Sequence, residues 1–283
     1  MEGIIKNIIY LGPTGSYTQI AAEKFCANFA SDAKKDYFST ITKIVREIDE
    51  KGAPENEGLF AVLPIENSIE GVVRETVDAL AAAKNNPQII AQTVIPIQHC
   101  LIGSGKKEDV RRIISHPQAI SQCSGYIAAN FGKNIEVISA NSTSAAVSML
   151  EGKDADYASI ANEFCAGLYG AKVIDKNIND VKENFTRFVL VGKRYLPDTP
   201  KTRTSIAFST KNEPGALLEI LKIFQAHNLN LIYLESRPSR RLLGEYVFFA
   251  DIDRGEEEIR NALGEIRAAS DFYKFFGSYG LLE

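Results

Sequence analysis

The stretch IIYLGPTGSYTQIAAEKFCANF, residues 8–29, sets the fold class. Ile8–Leu11 is a short apolar run stopped by Gly12-Pro13, the pattern of a buried strand. Tyr17–Phe29 repeats at helical spacing and puts Ala21, Ala22, Phe25 and Phe29 on one face. Between them, Gly12-Pro13-Thr14-Gly15-Ser16-Tyr17-Thr18 is a strand-to-helix turn. Free N–H groups at the start of a helix make such a turn an anion site in principle. An ordinary connection needs no ligand, and at this point both readings stand. A P-loop is excluded because no lysine follows the second glycine. The glycine spacing also fails the dinucleotide-binding fingerprint.

The same unit recurs up to about residue 192. Thr40 is a candidate N-cap for a helix bearing Ile41, Ile44, Val45 and Ile48. Strands are expected at Leu59–Leu63, Ile113–Ser115, Ile135–Ser139, Tyr157–Ile160 and Phe188–Val191, with a further apolar segment at Ile89–Ile97. Helices are expected at Val72–Ala83, at about 119–130 and near Thr143–Leu150, with a short one before the last strand. This alternation predicts an α/β domain with a largely parallel sheet. Ligands of such sheets sit where strands end and helices begin. Residues 193–203 are charged and carry Pro197 and Pro200, as an exposed linker does. The remainder changes character. Strand Thr204–Ser209, helix Gly215–His227, strands Leu229–Ser236 and Glu245–Ile252, helix Glu256–Ala269 and strand Phe272–Tyr279 follow the ferredoxin-like order β-α-β-β-α-β.

A chain of 283 residues is long for one core, so two domains are the natural division. The net charge of −4 argues against a protein that tracks nucleic-acid phosphates. It leaves room for small anions held by a local arginine or a helix start. No apolar run reaches the roughly 18 residues of a membrane span, and the first ten residues lack the features of a secretory signal. Cys26, Cys100, Cys123 and Cys165 are widely spaced, with no C-x-x-C pair. They predict neither a disulfide framework nor a zinc site, and they fit a reducing cytoplasm as buried small hydrophobes. His99, His116 and His227 are scattered, and no metal-ligand or nucleophile motif occurs, so neither metal nor cofactor is expected.

Three more polar turns follow strands: Pro64–Gly71 (PIENSIEG), Ser115–Gln118 (SHPQ) and Asn141–Ser144 (NSTS). Asn67 and Ser68 serve equally well as helix caps or as partners for a ligand carboxylate or hydroxyl. His116 is accounted for by orienting its turn. Four such turns in one domain describe a cleft rich in hydrogen-bond donors. Glu183–Phe188 (ENFTRF) opens the last strand of this part. By spacing alone Arg187 is a surface residue of an alternating strand; by chemistry it is a bidentate partner for a carboxylate.

Taken in order, GPTGSYT (12–18), PIENSIEG (64–71), SHPQAISQC (115–123), NSTSAA (141–146) and ENFTRF (183–188) closely resemble the prephenate dehydratase family, over nearly all of the first 192 residues. NEPGALLEIL (212–221) and YLESRPS (233–239) resemble the two effector motifs of an ACT regulatory domain. Glu183 stands where many members have a second Asn, and Leu218 where Val is common; neither change removes a group assigned to chemistry.

The resemblance implies a catalytic domain, residues 1–192, of two α/β lobes similar to the type 2 periplasmic binding proteins, with the active site between them. The lobes are expected at about 1–75 with 165–192, and 76–164. A linker at 193–203 and an α+β ferredoxin-like ACT domain at 204–283 complete the chain. Since the chain begins at its first strand, the helical chorismate mutase domain fused to some relatives is expected to be absent. The implied reaction is the decarboxylating dehydration of prephenate to phenylpyruvate in phenylalanine biosynthesis, cofactor-free and regulated by phenylalanine. Thr186, Arg187 and Phe188 are implied as catalytic: Thr186 hydrogen-bonds the leaving hydroxyl and Arg187 binds a substrate carboxylate. Thr14, Ser16, Asn67, Ser68, Gln118, Ser142 and Thr143 are implied to position the substrate. The effector site is implied at Asn212, Gly215, Ala216, Leu217 and Leu218 with Glu235, Ser236, Arg237 and Pro238, between ACT domains of a homodimer or homotetramer. Prephenate and phenylalanine are the expected partners; nucleic acid and membrane are not. Two alternatives stay open: an arogenate dehydratase, and a non-catalytic cytoplasmic amino-acid sensor.

Overall fold

The computed structural model describes residues 5–29, 32–51, 58–193, 201–238 and 246–282. Pro197 and Pro200 of the expected linker lie outside these residues, as does Glu245. The first lobe is built on β1 (Asn7–Leu11), β2 (Lys34–Phe38), β3 (Leu59–Asn67), β5 (Gln88–Pro96) and β11 (Phe185–Gly192), with the short β4 (Gly71–Val72) folded back on the end of β3. The second lobe holds β6 (Cys100–Gly103), β7 (Arg112–Ser115), β8 (Glu136–Ser139), β9 (Tyr157–Ala161) and β10 (Lys172–Asp175), in the order β10-β6-β9-β7-β8.

These strands correct the expected lobe boundaries. β5 belongs to the first lobe, because it pairs antiparallel with β11 along its whole length. β10 belongs to the second, against β6. The chain therefore crosses between lobes near residues 97–99 and again just before β11. Asn179 staples the crossings together: its Oδ1 accepts from the His99 N–H at 2.6 Å and its Nδ2 donates to the Ile97 carbonyl at 3.1 Å. The sheets are also mixed rather than largely parallel. β1 pairs parallel with β2 and β3, whereas β11 runs antiparallel to both β3 and β5.

Helix α1 (Tyr17–Phe29) covers one face of the first sheet, where Ala21, Ala22 and Phe25 pack on Phe60, Val62 and Leu190. Helices α2 (Ile41–Lys51) and α3 (Arg74–Ala82) cover part of the other face, where Ile44, Ile48 and Leu80 meet Leu63 and Val189. In the second lobe the helix expected at 119–130 is interrupted at Cys123, giving α4 (Pro117–Gln122) and α5 (Ser124–Phe131). Short helices α6 (Thr143–Ser148) and α7 (Glu163–Leu168) follow β8 and β9.

The C-terminal domain has β12 (Arg203–Ser209), α8 (Ala216–Ala226), β13 (Leu231–Pro238), β14 (Tyr246–Ile252), α9 (Glu256–Ala269) and β15 (Phe272–Leu282). Its sheet order, β13-β14-β12-β15, with antiparallel neighbours throughout, is the ferredoxin-like arrangement. The helices cover one face through Ile206, Phe208, Ile220, Phe224, Ile259 and Ile266. The opposite face, with Ala207, Phe249, Phe276 and Tyr279, packs into the same core as Leu63, Leu80 and Val189. The end of β15 also pairs parallel with β5, Gly280 opposite Ala91, so the two domains share one sheet. Gly277 lies against β5 at this junction. A Cβ there would lie 2.3 Å from the Ile89 carbonyl oxygen, and its φ of +131° favours glycine.

Candidate active site and effector site

The first-lobe wall of the cleft is fixed by Asn67, at the β3–β4 turn. Its Oδ1 accepts from the N–H groups of Ile69 and Glu70 at 2.9 and 3.0 Å, which shapes the turn. Its Nδ2 donates to Asn184 Oδ1 at 2.8 Å and to Thr186 Oγ1 at 2.9 Å. Asn67 therefore caps no helix, since α3 begins only at Arg74, and its amide is engaged with protein groups. Because the Thr186 oxygen accepts from Asn67, its own proton is left to donate elsewhere. Ser68 anchors the same turn: its Oγ accepts from the Phe185 N–H at 2.9 Å. Asn184, only 1% exposed, keeps a buried Nδ2 with no protein partner. Spacing did not single out Asn184; the available signal was its place two residues before Thr186 in ENFTRF.

Gly15 sits at one contact between the lobes. Its φ is +88°, and a Cβ would lie 2.5 Å from Ser144 Oγ and 2.9 Å from Cys165 Sγ. Its carbonyl accepts from Asn162 Nδ2 at 2.8 Å. Next to it the Thr14 carbonyl accepts from the Ser144 hydroxyl. Ser16 caps α1, its Oγ accepting from the Gln19 N–H at 3.2 Å, and Ser142 caps α6, accepting from the Ala145 N–H at 2.9 Å. Thr143 opens α6. Across the cleft, Gln118 on α4 donates to the Glu70 carboxylate, a residue the motif reading passed over. His116 caps α4 through Nδ1 at 3.3 Å from the Gln118 N–H, the turn-orienting role expected of it.

β-strand alternation divides the Thr186-Arg187-Phe188 triplet. Thr186 meets Asn67 at the cleft edge. Phe188 is 2% exposed and packs in the α1-side core, not at the cleft surface. Arg187 points to the opposite face, toward the C-terminal domain. Its Nε donates to Glu66 at 2.9 Å, one terminal nitrogen to Asp251 at 2.8 Å, and the other to Gln92 and the Tyr279 hydroxyl at 3.4 and 3.3 Å. Burial opposes the charge on Arg187, but Tyr279, Asp251 and Glu66 outweigh it and raise its pKa. The expectation that Arg187 clamps a substrate carboxylate is thus corrected: its donors are held by protein acceptors on the far side of β11, of which Asp251, Gln92 and Tyr279 are buried and Glu66 is half-exposed. The strand pairing slips between Arg187 and Phe188 against β3, a bulge of the kind that re-aims side chains.

The effector motif on β13 is divided the same way. In register, Ser236 lies opposite Phe248 and Pro238 opposite Tyr246, while Glu235 and Arg237 lie opposite Phe249 and Val247. Asn212, Gly215, Leu217, Leu218, Tyr246 and Phe248 line an open hollow at the start of α8, beside Ala216. Ser236 and Pro238 share that face. Glu235 and Arg237 instead turn toward the catalytic domain, Arg237 bonding Asp78 of α3 at 3.0 Å and Glu235 lying 3.8 Å from Arg74. They are corrected from effector ligands to contacts between domains.

All four cysteines are free and buried. Burial pushes Cys123 up to about 12 and Cys165 up to about 11, so both stay protonated and weakly nucleophilic. Among the described residues no group of three or more His, Cys, Asp or Glu is placed to hold a metal, and no helix is long and apolar enough to cross a membrane.

Residues 8–195 match the family model described as prephenate dehydratase, and residues 204–270 that described as ACT domain. The chain is 37% identical to a prephenate dehydratase of Methanocaldococcus jannaschii, over 98% of this chain and 99% of that one. It is also 37% identical to a bifunctional chorismate mutase/prephenate dehydratase of Aquifex aeolicus, over 96% of this chain and 73% of the relative. The crystal structure of an Arthrobacter aurescens prephenate dehydratase in complex with L-Phe superposes with a TM-score of 0.84 at 30% identity, over 97% of this chain and 90% of that one.

Proposed function

The chain belongs to the prephenate dehydratase family and carries an ACT domain, and from that premise we propose that its cleft converts prephenate to phenylpyruvate under control of phenylalanine. The observation that carries the chemistry is the Asn67–Thr186 hydrogen bond. In the reaction the bond from the ring to its carboxylate breaks, the electron pair enters the ring, and CO₂ leaves. The C4–oxygen bond breaks at the other end, and the departing hydroxide takes up a proton to become water. Aromatisation drives the process, so the protein mainly has to help hydroxide leave. Thr186, with its oxygen held by Asn67, donates a hydrogen bond to that oxygen. A threonine hydroxyl is too weak an acid for full proton transfer, so its contribution is stabilisation of developing charge. Substrate carboxylates are left to the turns at Thr14–Ser16 and Ser142–Thr143 and to Gln118. Ser16 and Ser142 act there by shaping the turns, since their Oγ atoms accept from the Gln19 and Ala145 N–H groups. The test is appearance of phenylpyruvate from prephenate, run beside arogenate. No product from prephenate would overturn the reading.

Phenylalanine is assigned to the hollow at Asn212–Leu218, with Ser236 and Pro238 on the same face. Gly215, at φ +89°, starts α8 in a conformation a β-branched residue resists. Gly215→Val is expected to raise the phenylalanine concentration for half-inhibition by ~10-fold or more, while turnover without phenylalanine falls far less. An unchanged titration would remove the effector from this hollow. A chain ending near residue 200 is a poor probe of the effector site, because it would also lose the β15–β5 pairing and Asp251. Association through the regulatory domain is supported by β13, an edge strand that exposes Ile232 and Leu234. Sedimentation of the intact chain checks it; a monomer at working concentration would reject it. A cytoplasmic location is proposed from the four unpaired cysteines, and fractionation of cells tests it: recovery outside the cytoplasm would reject it.

A further inference from the structure

We propose that Arg187 is a positioning residue that fastens the strand carrying Thr186 to the regulatory domain, so that the state of that domain sets where the Thr186 hydroxyl lies. This rests on the reading of the cleft around Thr186 given above. Arg187 is 8% exposed and bridges four strands of two domains: Glu66 on β3, Gln92 on β5, Asp251 on β14 and Tyr279 on β15. On the regulatory side Asp251 is itself held. Ser205 donates to its second oxygen, the Tyr279 hydroxyl lies 2.6 Å from Ser205 Oγ, and Arg203 stands 3.5 Å away. Two arginines face two carboxylates, so the cluster is charge-balanced and leaves no excess positive charge to attract a substrate.

Position supplies the coupling. Thr186 and Arg187 share a rigid peptide unit, so a displacement of one passes to the other. A misplacement of about 1 Å at a reacting group costs on the order of 10²-fold in rate. Asp251 sits on β14, and β14 pairs with β13, whose outer face carries Ser236 and Pro238 beside the effector hollow. Tyr246 and Phe248 of β14 themselves line that hollow, so a ligand there bears directly on the strand whose Asp251 holds Arg187.

Asp251→Asn, which keeps shape but removes the charge, tests this in the full-length protein. Turnover is expected to fall ~10-fold with KM within about twofold, and phenylalanine inhibition to weaken while calorimetry still detects phenylalanine binding. Arg187→Lys should behave alike, and the double variant should be no worse than the worse single one, as for two members of one contact. Tyr279→Phe removes a single hydroxyl from the same cluster and covers the case in which Asp251→Asn does not fold; about a threefold fall in kcat at constant KM is expected. Two results overturn the proposal. In one, Arg187→Lys raises KM tenfold or more while Asp251→Asn is kinetically wild type, which would make Arg187 a substrate ligand. In the other, all variants melt earlier but keep kcat, KM and inhibition, which would reduce the cluster to packing. Phenylalanine-dependent hydrogen exchange at Phe185–Phe188, lost in Asp251→Asn, reads the coupling without turnover. Failure of the prephenate reading is thereby distinguishable from failure of this one.

Discussion

Thr186→Ala is expected to lower kcat by about 10²–10³-fold, the usual loss when one positioned donor to a developing charge is removed, with a much smaller change in KM. Thr186 is buried, only 8% exposed, and its oxygen already accepts from Asn67. The hydroxyl proton is therefore the group that alanine removes from the cleft. The fold should be little disturbed, because Asn67 keeps its bonds to Asn184 and to the two turn N–H groups. Thr186→Ser retains the donor but loses the methyl that limits its rotamers, so a rate between the two is expected. Steady-state kinetics beside a melting curve checks the pair. Alanine turning over near the wild-type rate would mean that hydroxide departs without Thr186.

The sequence carries the element order well where periodicity is strong. Tyr17–Phe29 is helical as its apolar face requires, and the six elements after residue 203 fall in the ferredoxin-like order. Weakly patterned strands were missed. Lys34–Phe38 is an edge strand whose side chains are mostly exposed, so it shows no apolar run. Cys100–Gly103 and Lys172–Asp175, four residues each, also lie outside the expected strands, although the equally short β7 and β8 coincide with expected ones. The lobe boundary failed for a different reason: β5 joins the first lobe through pairing with β11, about ninety residues later in the chain, a non-local contact that no local pattern reports. The same limit governs the site. The motifs ENFTRF and YLESRPS were legible as functional strings, but a string does not say which face of its strand looks at which partner. That is decided by the sheet around it. Once β11 is sandwiched between β3 and β5, with the regulatory domain on one face, Thr186 and Arg187 must serve different neighbours.

Asn67→Asp should separate positioning from folding. An aspartate can still accept from the Ile69 and Glu70 N–H groups, so the turn survives and the melting temperature should shift by only a few degrees. What changes is the other end of the side chain. Asn67 Nδ2 donates to Thr186 Oγ1, whereas an ionised carboxylate can only accept. The Thr186 proton then turns toward residue 67 and away from the leaving oxygen, and the second acceptor at Asn184 Oδ1 loses its donor. Turnover is expected to fall by ~10²-fold or more, comparable with loss of the Thr186 hydroxyl itself. KM should rise as well, since the new charge repels an anionic substrate. The sign of the pH response follows from the chemistry. A free aspartate titrates near 4, so lowering the pH protonates residue 67, restores a donor toward Thr186 and removes the repulsion. The variant should therefore recover part of its rate as the pH falls toward that range, with uncatalysed acid conversion subtracted, while the wild type gains no such acid limb. An Asn67→Asp protein that turns over normally at neutral pH would show that Thr186 does not need its oxygen held, and the assignment of Asn67 as its positioning partner would fail.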